Sequence, residues 1–132
     1  ENEILKFCQQ YPKTLEVACD PFRWQRSMAV LQEKGVPIVE YPSTSVRRMV
    51  PACQKFYEQV TEERIEHDGN PFVTRHLTNA VTKIDQYGPR IVKEHRHSPR
   101  RIDAAVAGII AVDRALQTRE PEPERKVPQF YI

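Results

Sequence analysis

Two aspartates in this sequence stand where metal-dependent chemistry could take place. Asp20 directly follows the apolar run LEVAC, and Asp103 lies just beyond the basic run KEHRHSPRR, near the start of the last long helical pattern. Carboxylate oxygens are the ligands that hard cations such as Mg²⁺ and Mn²⁺ prefer, and these cations neutralise a phosphate and activate water. The pair therefore predicts a site for cleaving phosphodiester bonds, with Asp20 and Asp103 as metal ligands.

The basic run supplies positive charge beside this pair. Lys93, Arg96, Arg100 and Arg101 are predicted to form a strongly positive rim that would attract a polyanion. The formal net charge of the chain is only +2, so attraction to a polyanion has to come from such local clustering. The alternative interpretation of the run is a solvated face with no ligand.

Each aspartate also has an ordinary structural explanation. Asp20 precedes Pro21 and would cap a helix that begins there. Asp103 would interact with the positive end of its own helix, or form a surface salt bridge with Arg100 or Arg101. Spacing alone does not decide between these roles and metal binding.

The first half of the chain predicts a βαβ unit that positions Asp20. After a helix over residues 1–11, the pattern predicts strands at Thr14–Cys19 and Pro37–Tyr41, joined by a helix from Pro21 to about Lys34 that Gly35 ends. The buried face of this helix is predicted to contain Phe22, Met28, Ala29 and Leu31. Strands joined in this way are parallel, and ligands bind at the carboxyl ends of parallel strands.

The middle of the chain predicts two helices. Residues 42–50 are expected to form a loop, and Pro51 to begin a helix. Its predicted buried face consists of Cys53, Phe56, Tyr57 and Val60. Asn70 is expected to cap the next helix, which runs through Leu77.

The last third predicts a hairpin followed by the helix that carries Asp103. The runs AVTKI and RIVKE flank DQYGP, which predicts a β-hairpin over Ala80–Glu94. Ser98 is the expected cap of the final helix and Pro99 its first residue, so Asp103 would lie in the second turn. The predicted buried side of this helix consists of Ile102, Val106, Ile109, Val112 and Leu116. Residues 119–132 are expected to be an extended or disordered tail.

Length and composition suit one soluble domain, which we place at residues 1–118 of the 132. The three cysteines form no CxxC pair, and the four histidines (His67, His76, His95 and His97) form no convincing metal set. No transmembrane run, signal segment or GxxxxGK[ST] loop is present in the sequence. The first residues, ENEILKF, predict that the chain begins partway through a larger protein.

Four stretches in order resemble the C-terminal nuclease domain of the large terminase subunit of tailed bacteriophages. They are VACDPFRW, KGVPIVEYP, HDGNPFVTRHLTNAVTKIDQYGPRIVKE and SPRRIDAAVAGIIAVDRAL, and the resemblance runs from about Leu15 to Leu116. The 83 residues that separate Asp20 from Asp103 (103 − 20) are similar to the gap between the second and third acidic ligands of that family.

The resemblance implies an RNase H-like α/β fold, with a mixed sheet flanked by helices and a β-hairpin insertion. It also implies an endonuclease with a two-metal Mg²⁺ or Mn²⁺ site that cuts concatemeric viral DNA, with Asp20 as second ligand and Asp103 as third. The implied partners are double-stranded DNA, other terminase subunits and the portal, in an oligomeric motor with no membrane part. The implied location is the host cell cytoplasm, for a viral or a prophage-encoded protein.

One part of the family pattern has no match in this sequence. The opening strand and its aspartate would precede Glu1, so the sheet is expected to be incomplete and the chain alone to cleave weakly or not at all. A non-catalytic module that holds DNA or docks other subunits is therefore the alternative function. A structural α/β domain with no site is the third possibility, and it predicts that the two aspartates lie far apart.

Overall fold

The computed structural model describes residues 1–118, so the predicted tail at residues 119–132 lies outside the described part. The helices are α1 Asn2–Gln10, α2 Gln25–Glu33, α3 Val46–Thr61, α4 Pro71–Asn79 and α5 Asp103–Thr118. The strands are β1 Val17–Cys19, β2 Ile38–Glu40, β3 Val81–Asp85 and β4 Gly88–Val92. Among these residues β1 pairs with β2 and β3 pairs with β4, as two separate small sheets.

The predicted βαβ unit is confirmed. β1 and β2 are parallel, with Val17 opposite Ile38, and α2 joins them. Gly35 ends the helix as expected, with a φ of +82° that a residue with a side chain rarely adopts. The N–H groups of Gly35 and Val36 donate to the carbonyls of Gln32 and Leu31, which is the Schellman pattern.

The start of α2 differs from the prediction. The helix begins at Gln25 and not at Pro21, because residues 22–24 form a turn in which Arg23 has a φ of +59°. Met28 and Leu31 are buried as predicted, whereas Ala29 is exposed and Phe22 is 70% exposed. Asp20 consequently does not cap this helix.

α3 begins at Val46, within the segment predicted to be a loop. Pro51 therefore lies inside the helix, where it has no N–H to donate to the carbonyl four residues earlier. Burial of Met49, Val50 and Ala52 on either side of it offsets that loss. Two residues of the predicted buried face are exposed instead, Tyr57 by 65% and Val60 by 50%.

The predicted α4 cap and hairpin are both confirmed. The side chain of Asn70 accepts a hydrogen bond from the N–H of Phe72 at 2.9 Å, and Pro71 is the first helical residue. β3 and β4 are antiparallel, and the opposed pair Asp85 and Gly88 encloses a two-residue turn.

α5 begins at Asp103, later than predicted. Ser98 and Pro99 precede the helix, and the Ser98 hydroxyl accepts a hydrogen bond from the N–H of Arg100 at 3.2 Å within the connecting segment. Asp103 is therefore the first residue of α5 and not part of a second turn. Val112 and Leu116 are only half-buried, and Asp113 takes a buried position instead.

The core lies where α5 packs on α3 and on the end of β2. Its buried members are Tyr41, Met49, Ala52, Ile109 and Ile110. One carboxylate sits inside it, since Asp113 is 6% exposed. Its oxygens accept hydrogen bonds from Tyr41 Oη at 2.9 Å, Lys55 Nζ at 2.7 Å and Gln117 Nε2 at 3.0 Å. The buried charge is therefore fully partnered, as an interior carboxylate requires.

Candidate metal site

A cleft of about 740 Å³ lies between β1, the loop that follows β2, and one face of α5. Both predicted ligands, Asp20 and Asp103, line it, and so does Lys93. Its floor is apolar, with Ile102 and Val106 among the lining residues. The structure thus places Asp20 in the same cleft as Lys93 and Asp103, which are more than 70 residues later in the sequence.

Asp20 is positioned by the end of β1 and by hydrogen bonds from two directions. Its Oδ1 accepts from the N–H of Phe22 at 2.9 Å, which closes the turn that replaces the first turn of a helix. Its Oδ2 accepts from the N–H of Ser43 at 2.9 Å and from the Ser43 hydroxyl. Partial burial raises the pKa of Asp20, but the hydrogen bonds from the Ser43 side chain and from the two backbone N–H groups outweigh it, so the pKa is lowered from 3.8. The group is ionised at neutral pH, as a metal ligand must be.

Asp103 is placed by the start of α5, where the positive end of the helix favours a carboxylate. Its side chain is exposed on the rim of the cleft. The next N–H, that of Ala104, donates to Nδ1 of His76 on α4 at 2.9 Å, so a side chain from another helix acts as the cap. Arg100, one of the two predicted ion-pair partners of Asp103, instead lies 3.7 Å from Glu94.

Of the predicted basic rim, only Lys93 lines the cleft. It follows β4 directly and is half-buried. Arg96, Arg100 and Arg101 are exposed on the segment between β4 and α5 and do not line the cleft. This segment is tied to α4, because the side chain of Asn79 donates to the carbonyl of Arg101 at 3.0 Å.

The cleft is also lined by an ion pair between the residue just before β1 and α5. Arg114 binds Glu16 through two hydrogen bonds of 2.7 and 2.8 Å. The Arg114 hydrogen bond, opposed by partial burial, lowers the pKa of Glu16 from its ordinary value. The pair joins the N-terminal end of β1 to the last turns of α5. Both side chains are about one fifth exposed, so neither charge is deeply buried.

Sequence reasoning missed two residues of this region, Ser43 and His76. Ser43 reaches Asp20 across 23 positions of sequence and His76 reaches Ala104 across 28, so no local pattern indicates either contact. One feature of the sequence favours Ser43 as a site residue: it lies just beyond the carboxyl end of β2, which is parallel to β1.

Some of the groups that line the cleft are of the kind that bind a hard divalent cation. Asp20 and Asp103 offer carboxylate oxygens from two different elements around one space. Within residues 1–118 no group of three or more His, Cys, Asp or Glu side chains is arranged to hold a metal ion. Asp20 and Asp103 are therefore candidate ligands, and a hard cation bound between them would need further oxygen ligands.

No helix within the described part of the chain is both long enough and apolar enough to cross a membrane.

Comparisons with known proteins agree with one another. A family model described as "Terminase large subunit, endonuclease domain" matches residues 2–119. The gene 13 proteins of Mycobacterium phages L5 and D29 are each 35% identical over 60 residues, which is 45% of this chain and 10% of theirs. The crystal structure of the HK97 bacteriophage large terminase superimposes with a TM-score of 0.71 at 23% identity, over 86% of this chain and 24% of that chain. This superposition confirms the predicted fold class, and the chain spans a minor part of each of these longer proteins.

Proposed function

Since the chain belongs to the family of terminase large subunit endonuclease domains, we propose that it contributes two ligands to a metal-dependent active site that cleaves concatemeric viral DNA. Family membership supports a nuclease role in phage DNA packaging. The observation that carries the finer proposal is the shared cleft of Asp20 and Asp103, which come from the end of a strand and the start of a helix.

The residues of this chain have distinct roles in the proposed site. Asp20 and Asp103 bind Mg²⁺ or Mn²⁺ through carboxylate oxygens, which are the ligands such ions prefer. When bound, a pair of these ions supplies charge neutralisation at the scissile phosphate and an activated water. Lys93, a half-buried residue that lines the cleft, holds a phosphate oxygen through its ammonium group.

The remaining acidic ligand is proposed to come from outside residues 1–118. Two carboxylates leave most of the coordination sphere of a hard cation to water or to other groups. We propose that a further part of a longer polypeptide, or another subunit, completes the site within a terminase oligomer. That oligomer would work with other packaging components, including the portal, in the cytoplasm of the host cell.

The exposed arginines are proposed to hold DNA next to the cleft. Arg96, Arg100 and Arg101 lie on the segment that leads into α5, so a duplex bound there passes the rim that carries Asp103. Contacts of this type go to phosphates, so binding is expected to tolerate any sequence and to weaken with salt.

Plasmid nicking in Mn²⁺ tests the proposal. In the terminase large subunit that carries this chain, D20N and D103N are each expected to reduce nicking by about 100-fold or more, because each removes a charged ligand. D68N changes an exposed aspartate that does not line the cleft and is expected to nick at the parental rate. Nicking by D20N and D103N at the parental rate would show that the metal-site assignment is wrong.

A second function, DNA holding without cleavage, is favoured because residues 1–118 contain no group of three or more His, Cys, Asp or Glu side chains arranged to hold a metal ion. It predicts that DNA affinity measured in EDTA survives D20N and D103N but falls in the triple variant R96A/R100A/R101A. Each lost phosphate contact makes the negative slope of log K against log salt shallower by about 0.9. A triple variant with an unchanged slope would exclude these arginines as phosphate contacts.

A further inference from the structure

Ser43 and Asp20 are joined by hydrogen bonds that the sequence pattern does not predict. Ser43 lies in the loop after β2, and Asp20 directly follows β1. Both the backbone N–H and the hydroxyl of Ser43 donate to the same oxygen of Asp20, Oδ2. The other oxygen, Oδ1, accepts only the N–H of Phe22 among the described residues.

The hydrogen bonds to Asp20 leave few of its acceptor positions available to a cation. An ionised carboxylate has about four acceptor positions, two on each oxygen. Ser43 occupies both positions on Oδ2, and Phe22 occupies one of the two on Oδ1. One position on Oδ1 is therefore left, and the carboxylate plane is fixed by donors on both oxygens.

From this geometry we infer that Ser43 is a positioning residue, which orients Asp20 so that the cation is bound through Oδ1 alone. The inference rests on the proposed metal site. It adds that Asp20 binds the cation through one oxygen and that Ser43 imposes this arrangement. Donors that orient a ligating carboxylate are a general feature of metal sites, and removing one lowers metal affinity about 10- to 100-fold.

The loop that carries Ser43 is well suited to this task because both of its ends are anchored. Tyr41, two residues earlier, is 2% exposed, and its hydroxyl donates to the buried Asp113. Its N–H donates to the carbonyl of Cys19 at 2.8 Å, directly beside Asp20. After Ser43, the N–H of Ser45 donates to the carbonyl of Pro42 at 3.1 Å, which closes a turn before α3. Ser43 therefore has little freedom to follow Asp20 if the carboxylate rotates.

Substitutions at Ser43 separate its hydroxyl from its backbone. S43A keeps the N–H donor and frees one position on Oδ2, whereas S43T keeps both donors. T44A is the matched control, because it removes a hydroxyl from the neighbouring, exposed residue.

Mn²⁺ affinity of the terminase large subunit that carries this chain, measured by EPR of the free ion, is the primary readout. We expect S43A to raise Kd about 10-fold, S43T to stay within about 3-fold of the parent, and T44A to leave Kd unchanged. Unfolding temperatures in EDTA serve as the folding control. A Kd for S43A equal to or lower than that of the parent would overturn the inference, since it would mean that an unrestrained Asp20 binds at least as well.

The same titrations distinguish failure of this inference from failure of the proposed function. If D20N and D103N bind Mn²⁺ as tightly as the parent, the metal site itself is wrong, and the role of Ser43 is excluded with it. If D20N weakens binding but S43A does not, the site stands and only the positioning role is refuted. If S43A and S43T lose affinity equally, the hydroxyl is not the operative group and the inference is likewise refuted.

Discussion

Replacing Asp113 with alanine tests the buried polar cluster that joins β2, α3 and α5. Tyr41 is 2% exposed, so D113A leaves its hydroxyl buried without an acceptor, at a cost of about 1 to 2 kcal/mol. The lost charge-assisted bond from Lys55 adds about 1 to 2 kcal/mol, and not more, because that side chain is 39% exposed and can turn to water. We therefore expect D113A to lower the free energy of unfolding by about 3 kcal/mol, or the unfolding temperature by about 12 °C for a domain of this size.

The pH dependence gives this prediction a second, independent measure. Burial raises the pKa of Asp113, but the hydrogen bonds from Lys55 and Tyr41 outweigh it, and the pKa lies below the ordinary value of 3.8. The folded state therefore holds the proton less tightly than the unfolded state. The carboxylate contributes stability at neutral pH, and this contribution is lost as the pH falls below about 4 toward the folded-state pKa. D113N should thus differ from the parent most at pH 7 and least near pH 3.

Urea unfolding followed by circular dichroism, at pH 7 and near pH 3, measures both effects. E33A changes an exposed acidic residue at the end of α2 and controls for removal of a negative charge. Ordinary surface substitutions change the free energy of unfolding by about 0.5 kcal/mol or less. If D113A changes it by no more than this at pH 7, the cluster does not stabilise the fold. An equal effect of D113N at both pH values would refute the ionised state assigned to Asp113.

Three further changes probe single contacts. H76A removes the acceptor of the Ala104 N–H at the start of α5 and should cost about 1 kcal/mol by urea unfolding, while an unchanged midpoint would show that the cap is unimportant. G88A places a Cβ 3.1 Å from Cγ1 of Val50, at a residue whose φ is +121°. We expect it to lower the free energy of unfolding by about 2 kcal/mol, measured by thermal unfolding, and an unchanged value would mean that the hairpin shifts freely. Burial raises the pKa of the Cys53 thiol, so iodoacetamide should alkylate it much more slowly in the folded chain than in urea at pH 8, and equal rates would contradict its burial.

The elements that sequence predicts well are those with local signals. Gly35 ends α2 through its own positive φ, and Asn70 caps α4 through a bond to a residue two positions away. The hairpin follows from two β-prone runs around a short turn. In each case the interaction that fixes the element lies within a few residues of sequence, so the pattern contains the information.

Of the helix starts that were predicted wrongly, that of α2 is set by the local turn that Asp20 and Phe22 close, whereas those of α3 and α5 depend on tertiary contacts. α3 continues through Pro51 because burial of its neighbours Met49, Val50 and Ala52 outweighs the missing N–H. α5 begins at Asp103 and not at Pro99, with a cap from His76 on another helix. Tertiary packing overrides local propensity at both places, and a single sequence does not show which contacts will form.

The candidate site was predictable only in part for the same reason. Asp20 and Asp103 were singled out by residue type and position, and the structure places both in one cleft. Their binding of metal stays a prediction. Ser43 could not be singled out, since a serine in a loop of the composition YPSTS has no distinguishing feature until β1 and β2 are paired.

The position of α5 in the chain has a consequence for biosynthesis. Ala105, Ile109 and Ile110 complete the core, yet they belong to the last helix of the described chain. While the ribosome is still adding α5, the apolar faces of α3 and β2 have no cover and the carboxylate of Asp20 has no counterpart across the cleft. A nascent chain that ends before residue 103 should therefore depend on chaperones, and the core and the cleft lined by Asp20 and Asp103 should form together once α5 has emerged.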